Sequence, residues 1–350
     1  MADKDHKIDP RGHKATSPLE MPKRAWKDIA ARTYKRTWDD NVGLVASGVA
    51  FYGFFALLSL LGMIVLSYGF VADPLTVVKN MRALTAMLPN DVAALIGDQL
   101  MTAVQSSKTT KGVAILLAGV VALYGGTNGA AAILTALNIA YEEKEKRSLV
   151  RFYLIAFGMT VTALLLALFA LGAAAAIAYV QAYLPRSSTV LMLLGRVVGY
   201  VVLALVATGV AAILYRFGPS REDAQWRWIT PGSLFAAITW LLLTVGFSFY
   251  VANFTNYEAS YGALGAVVAL LTWLYLSAYA FIFGAELNSE IEHQTARDST
   301  TGHPEPLGQR GAWAADNVAT DDKVEDRPEE QREGEKLTAA APEISDEVDR

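Results

Sequence analysis

The chain has 350 residues, 53% of them hydrophobic and 18% charged, with a mean hydropathy of +0.30, whereas a soluble globular domain carries about 25% charged residues. The absence of cysteine excludes a disulfide framework, a thiolate zinc site, an iron–sulfur cluster and a Cys nucleophile. The formal charge of −4 divides unevenly, with 10 Lys/Arg against 7 Asp/Glu in residues 1–41, 13 against 12 in 42–292, and 7 against 15 in 293–350. One membrane domain between two polar tails follows from that division.

Residues 1–21 hold few large apolar side chains and are expected to be a disordered N-terminal tail. Over 22–41, Trp26, Ile29, Ala30, Tyr34 and Trp38 share one helical face among Lys and Arg, the pattern of a basic interfacial helix. Its expected partner is the anionic headgroup layer of membrane lipids and no nucleic acid, because a strongly apolar run follows at once. No charge occurs between Asp40 and Asp73, and about 20 apolar residues suffice to cross a bilayer. Six such spans are expected within 42–292, at about 44–71, 112–140, 152–183, 190–215, 230–252 and 262–286. The fold class is therefore all-α, a polytopic bundle of six transmembrane helices. Between the first two spans, residues 73–111 repeat apolar side chains at helical spacing on either side of Pro89-Asn90, which predicts an amphipathic helical pair outside the bilayer.

The second span contains Tyr124-Gly125-Gly126-Thr127-Asn128-Gly129, which marks either a helix break or a close helix contact. After it, Glu142 precedes Lys146 and Glu143 precedes Arg147 at i, i+4, as in a solvated helix end with internal ion pairs. The acidic segment 293–350 is expected to be a disordered tail. Lys and Arg concentrate in 1–41, 141–151 and 216–228 and are sparse in the alternate connections, so both termini are expected to face the cytoplasm.

Catalytic constellations are scarce. The four histidines, His6, His13, His293 and His303, lie in the tails or at the domain edge, so no metal site and no cofactor are expected inside the bundle. Two ionisable groups at lipid depth stand out as functional candidates. Arg196 is near the outer leaflet, where it can snorkel; Glu286 ends the sixth span, with Arg216 or Arg151 as expected partners. With Tyr52, Thr127, Asn128, Tyr250 and Trp273, these residues outline a candidate cavity or gate, with Glu286 at its inner mouth.

Several motifs in order resemble the YihY/BrkB family of bacterial inner-membrane proteins, which also carries an old ribonuclease BN label. They are Gly48-Val49-Ala50-Phe51-Tyr52, Asn138-Ile139-Ala140-Tyr141, Tyr215-Arg216-Phe217-Gly218-Pro219, Thr230-Pro231-Gly232, Tyr257 with Tyr261-Gly262-Ala263-Leu264-Gly265, and Gly284-Ala285-Glu286-Leu287-Asn288. The resemblance covers about residues 25 to 292 and departs at Ser59, where relatives often have proline, and at Gly218, where they have a bulkier residue. It implies a six-span protein of poorly defined role, with virulence or serum resistance attached to some members. Metal-dependent RNA hydrolysis would need converging carboxylates or histidines, a pattern these spacings lack. The sequence supports a permease-like or lipid-handling membrane protein with an unknown small-molecule or lipid substrate, or a non-transporting scaffold that recruits partners through its tails. It leaves the oligomeric state open.

Overall fold

The computed structural model describes residues 11–71, 108–183, 189–254 and 263–319. Eight α-helices lie within them: α1 (Lys23–Asp39), α2 (Val42–Val71), α3 (Lys108–Ala140), α4 (Leu149–Tyr183), α5 (Thr189–Phe217), α6 (Trp226–Phe254), α7 (Ala263–His293) and the short α8 (Trp313–Asp316). Described residues form no strand beyond an isolated bridge between Ala224 and Thr300. The long helices are apolar almost all round, as lipid-embedded helices must be. Five of them are long and apolar enough to cross a membrane, or six if α1 and the first half of α2, bent by 63° from each other, are counted as one span. The expected outer pair at 73–111 lies outside the described residues, except that Lys108 already opens α3.

Successive helices are neighbours. α2 packs on α3, α3 on α4, α5 on α6 and α6 on α7, while α7 returns to pack against α2. The ring is tight everywhere except between α4 and α5, which make little contact among the described residues. Glycines set the close approaches. α3 runs unbroken through Tyr124–Gly129, so that segment is a contact surface and not a break: a Cβ on Gly125 would lie 3.3 Å from the backbone of Ala56, and one on Gly126 would strike Thr160 of α4. On the other side of the ring, a Cβ on Gly284 would meet Ala236 Cβ at 2.6 Å and the Gly232 carbonyl at 2.8 Å.

The largest buried cluster sits at one end of the ring, where Val42, Ala46, Leu137, Tyr141, Tyr215, Ile229 and Ile282 meet. At this end lie α1, the α3–α4 and α5–α6 connections and the segment after α7; we call it the charged end. Three expectations are corrected here. Residues 11–21 are ordered: Ala15 and Met21 are buried against Ile29, Trp228 and Ile291. Residues 294–319 are ordered as well, although the acidic composition pointed to disorder from 293. Composition counts large apolar side chains, whereas this stretch is held by small ones, Ala312, Ala314, Ala315 and Ala319, and by polar bonds. Arg310, 6% exposed, donates to the carbonyls of Glu305, Ala315 and Ala296 at 2.7–3.0 Å. Finally, Glu142 and Glu143 do not pair at i, i+4, because the helix stops at Ala140 and Glu142 adopts a φ of 55°; Lys146 reaches Glu143 at i, i+3, and Arg147 turns to Glu145.

Replacing Gly284 by Val would have to push α6 from α7 and should destabilise the protein by about 1–3 kcal/mol, whereas Gly246→Val, with nothing within 4 Å of its Cβ, should be nearly neutral. Thermal unfolding of the two purified variants in detergent checks this contrast.

Candidate functional site

The last two turns of α7 carry Glu286, Asn288, Ser289, Glu290, Glu292 and His293, all buried. Buried carboxylates are costly unless paired, and each element around α7 supplies a partner. From α1, Arg32 Nε donates to Glu290 Oε2 at 2.6 Å and its Nη2 donates to Gln294 Oε1 at 2.5 Å. One turn further, Arg36 lies 3.5 Å from Glu290 Oε1 and pairs with Glu142. From the α5–α6 connection, Arg221 Nη2 donates to both oxygens of Glu292 at 2.9 Å, with neither side chain exposed. The Tyr141 ring lies 4.6 Å from that guanidinium, within cation–π range. Burial alone would lower the Arg221 pKa, but Glu292 and Tyr141 raise it above the ordinary arginine value and hold the charge in place.

Asn288 does the work of a backbone. Pro231 has no N–H and disturbs the first turn of α6, and Asn288 takes up two groups there: its Oδ1 accepts from Gly232 N at 2.7 Å and its Nδ2 donates to the Ile229 carbonyl at 2.8 Å. Asn138 at the end of α3 likewise accepts from Ser220 N and donates to Glu145. With backbone and side-chain donors around it, Arg147 first among them, Glu145 is pulled down to about 2. Gly218 stands where a side chain would strike Leu137 and the Leu214 carbonyl, which accounts for glycine at that departure from the family pattern.

Two left-handed residues aim carboxylates into this layer. Asn41, φ 51°, makes the elbow between α1 and α2, and asparagine tolerates that conformation better than most residues. The elbow turns Asp40 toward α7, within hydrogen-bonding reach of Glu286. Glu286 is 2% exposed, and its Oε1, like Asp40 Oδ2, has no hydrogen-bond partner among the described residues. Burial first, then the neighbouring Glu142, push Asp40 up to about 6. The segment after α7 covers the layer: the Trp313 ring lies 5.0 Å from His293 and 5.3 Å from the Arg36 guanidinium, and the Trp313 backbone N–H donates to Glu143 Oε1 at 2.6 Å.

Of the candidates read from sequence, Glu286 alone belongs to this layer. Its surroundings are Asp40, Arg36, Glu142 and Glu290 and not the expected partners, since Arg216 turns to Asp223 and the Ala224 carbonyl and stacks on Trp226, while Arg151 is exposed. Tyr52 and Tyr250 are exposed on the bundle surface. Asn128 donates back to the Tyr124 carbonyl of its own helix; Thr127, its half-buried neighbour on α3, and Trp273, which donates to Thr244 Oγ1 across the α6–α7 interface at 3.2 Å, complete the candidates whose side chains are described. Arg196 lies on α5 in a stretch whose side chains fall outside the described residues. Sequence reading missed Asp40, Arg36, Arg221 and Glu292, whose only signal was an excess of acids at the end of α7 with no basic residue beside them in sequence. Among the described residues no three His, Asp or Glu side chains converge as a metal site would require.

A second feature is a cavity of about 700 Å³ at the α4–α5 seam, lined from α2 by Gly53, Ala56 and Leu57, from α3 by Gly126 and Ala130, from α4 by Thr160, Thr162 and Leu164, and from α5 by Val210, Ile213 and Leu214, among others. Among the described residues lining it, the two threonines are the only polar side chains.

A family model described as virulence factor BrkB matches residues 33–307. The chain belongs to the BrkB family. The ribonuclease-like protein YfkH of Bacillus subtilis is 30% identical over 64% of this chain and 86% of its own length. UPF0761 membrane proteins of Pseudoalteromonas translucida and Alteromonas mediterranea are 34% and 39% identical over 25% and 27% of this chain, which there spans 29% and 33% of their lengths. No solved structure matches. As a BrkB-family member the protein is a multi-helix membrane protein, and four of the six motifs read from sequence meet at the charged end, where Asn138, Tyr215, Gly232, Gly284 and Asn288 bond or touch, whereas Phe51 and Tyr52 of the first motif are exposed on α2. The motif Tyr261–Gly265 and Tyr257 fall mostly outside the described residues.

Arg221→Met leaves Glu292 buried and unpaired and should cost about 3–5 kcal/mol, whereas the double variant Arg221→Met/Glu292→Met should recover most of the loss. A double-mutant cycle on the detergent-solubilised chain measures both.

Proposed function

We propose that the chain is a multi-pass protein of the bacterial inner membrane with both termini in the cytoplasm, and that it works as a permease-like protein on a molecule carrying a hydrocarbon tail, taken in at the α4–α5 seam. The supporting observation is the seam cavity itself. At lipid depth a polar solute would lose its hydrogen bonds on entering a wall of Gly, Ala, Leu and Val, whereas an acyl chain loses none. Among the described residues this side of the ring has the least contact, so lateral entry from the bilayer there displaces little described packing. Grouping of the three Lys/Arg-rich segments at one end supports the orientation. The role is read as non-enzymatic: Glu290 and Glu292 are taken up in ion pairs with arginine, and among the described residues no three His, Asp or Glu side chains converge on an open coordination site.

A phospholipid with a photoreactive group at the end of its acyl chain, incorporated in phosphatidylethanolamine–phosphatidylglycerol vesicles with the full chain, should label residues 159–166 and 210–214 several-fold above the rest of the bundle. Ala163→Trp, which fills the cavity, should abolish that excess, and Leu242→Trp on the lipid-facing side of α6 should leave it. Uniform labelling around the ring would overturn the lipid reading and leave the scaffold, which deletion of residues 320–350 then probes through the cellular phenotype. A reporter fused after Arg350 should be active only in the cytoplasm.

A further inference from the structure

Once every ion pair at the charged end is assigned, one pair of acids remains. The titratable and charged groups around it are Arg32, Arg36 and Asp39 from α1, Tyr141 and Glu142 after the end of α3, and Glu290 from α7, with Glu143 and His293 one contact further out. Arg32 is occupied by Glu290 and Gln294, and Arg36 is divided between Glu142 and Glu290. Asp40 and Glu286 lie within hydrogen-bonding reach of each other, each with one buried oxygen that has no partner among the described residues. Two carboxylates in such contact, Glu286 buried and Asp40 half-buried, disfavour joint ionisation by mutual repulsion. An O–H···O bond between them needs one proton, and the pair then carries a single negative charge toward Arg36.

We propose that Asp40 and Glu286 form a proton-binding site, in which one proton shared between the two carboxyls latches the α1–α2 elbow onto α7. The rise of Asp40 to about 6 agrees with this arrangement. When hydroxide removes the proton as water, two adjacent carboxylates remain and repel. The mobile partner is the elbow, because Glu286 sits inside a helix gripped by α6 and α2, whereas Asp40 follows the last residue of α1 beside a cavity of about 440 Å³ lined by Thr37, Trp38, Gly43, Tyr275 and Tyr279. A metal cation is the poorer occupant, since no third His, Asp or Glu converges with the pair in a ligating arrangement among the described residues. The site stands whether or not the seam cavity takes lipid.

The test uses the full chain in lipid nanodiscs. Infrared difference spectra should show the carbonyl stretch of a protonated carboxyl at neutral pH in the natural protein, absent in Glu286→Gln and lost or shifted in Asp40→Asn. Because the chain has no cysteine, Thr37→Cys, at a position 4% exposed, reports the elbow by its maleimide labelling rate relative to Ala31→Cys on the exposed side of α1, a ratio in which thiol ionisation largely cancels. That ratio should climb as pH is raised from about 5 to about 9, across the range a perturbed carboxyl titrates, and should stay flat when Glu286→Gln or Asp40→Asn is added. Asp40→Asn carries the same test if Glu286→Gln does not fold. An absent carboxyl band in the folded natural protein, a ratio that climbs equally in both neutral variants, or a ratio that follows sodium and not pH would each overturn the proposal.

Discussion

Everything at the charged end depends on the cost of placing carboxylates inside protein. α7 ends with Glu286, Glu290 and Glu292 in positions where water does not reach, and a buried carboxylate left alone would be destabilising by several kcal/mol. The chain meets that demand with basic residues drawn from distant sequence: Arg32 and Arg36 lie in α1, and Arg221 precedes α6. The bent elbow, the abrupt stop of α3 and the folded segment after α7 are all consequences, since each brings a donor, a counter-charge or a cover to the same layer. The ring of long helices could tolerate many apolar exchanges. This layer tolerates few, because Glu290 and Glu292 each depend on an arginine for neutralisation.

Much of the ring was legible in the sequence. Uninterrupted apolar runs announce helices of spanning length whatever their neighbours, and the charge-free stretch after Asp40 locates α2 to within a few residues of its observed start. Glycines of the second span were readable only as an alternative, break or contact, because glycine permits both; the backbone of Ala56 and the side chain of Thr160 decide for contact. The charged end was harder. Local rules pair Glu142 with Lys146, but the helix ends first and Arg36, 106 residues away, takes the carboxylate. Glu286 was recognisable as an unusual charge at the end of an apolar run, while its neighbour Asp40 looked like an ordinary polar flank. Residues 294–319 escaped notice for a different reason: a stretch ordered by alanine and by one arginine bonded to three carbonyls has no hydrophobic signature.

The two features are arranged at different depths and have different chemistry. The seam cavity is apolar and bordered by α4 and α5, whereas the acid pair is polar, partly buried and attached to α7 and the elbow. α2 joins them: its first turn follows directly on Asp40 and Asn41, and its middle supplies Gly53, Ala56 and Leu57 to the cavity wall. Any rotation of α2 at the elbow is therefore transmitted to the cavity through a helix already in close backbone contact with α3 at Gly125. A rigid rod with a hinge at one end and a wall at the other is sufficient for such transmission, with no need of a chain of intermediate side chains.

Arg32 and Glu290 are separated by 258 residues, which has a consequence for assembly in the cell. α1 precedes the other long helices, yet Glu290, the acid that Arg32 neutralises, leaves the ribosome only after all of them. Until then Arg36 can already meet Glu142, whereas Arg32 lacks both Glu290 and Gln294, so the N-terminal helix gains its final hold on the bundle only when the end of α7 has been made. A truncated product that stops short of α7 would keep this exposed basic helix, giving quality-control proteases a ready mark of an unfinished chain.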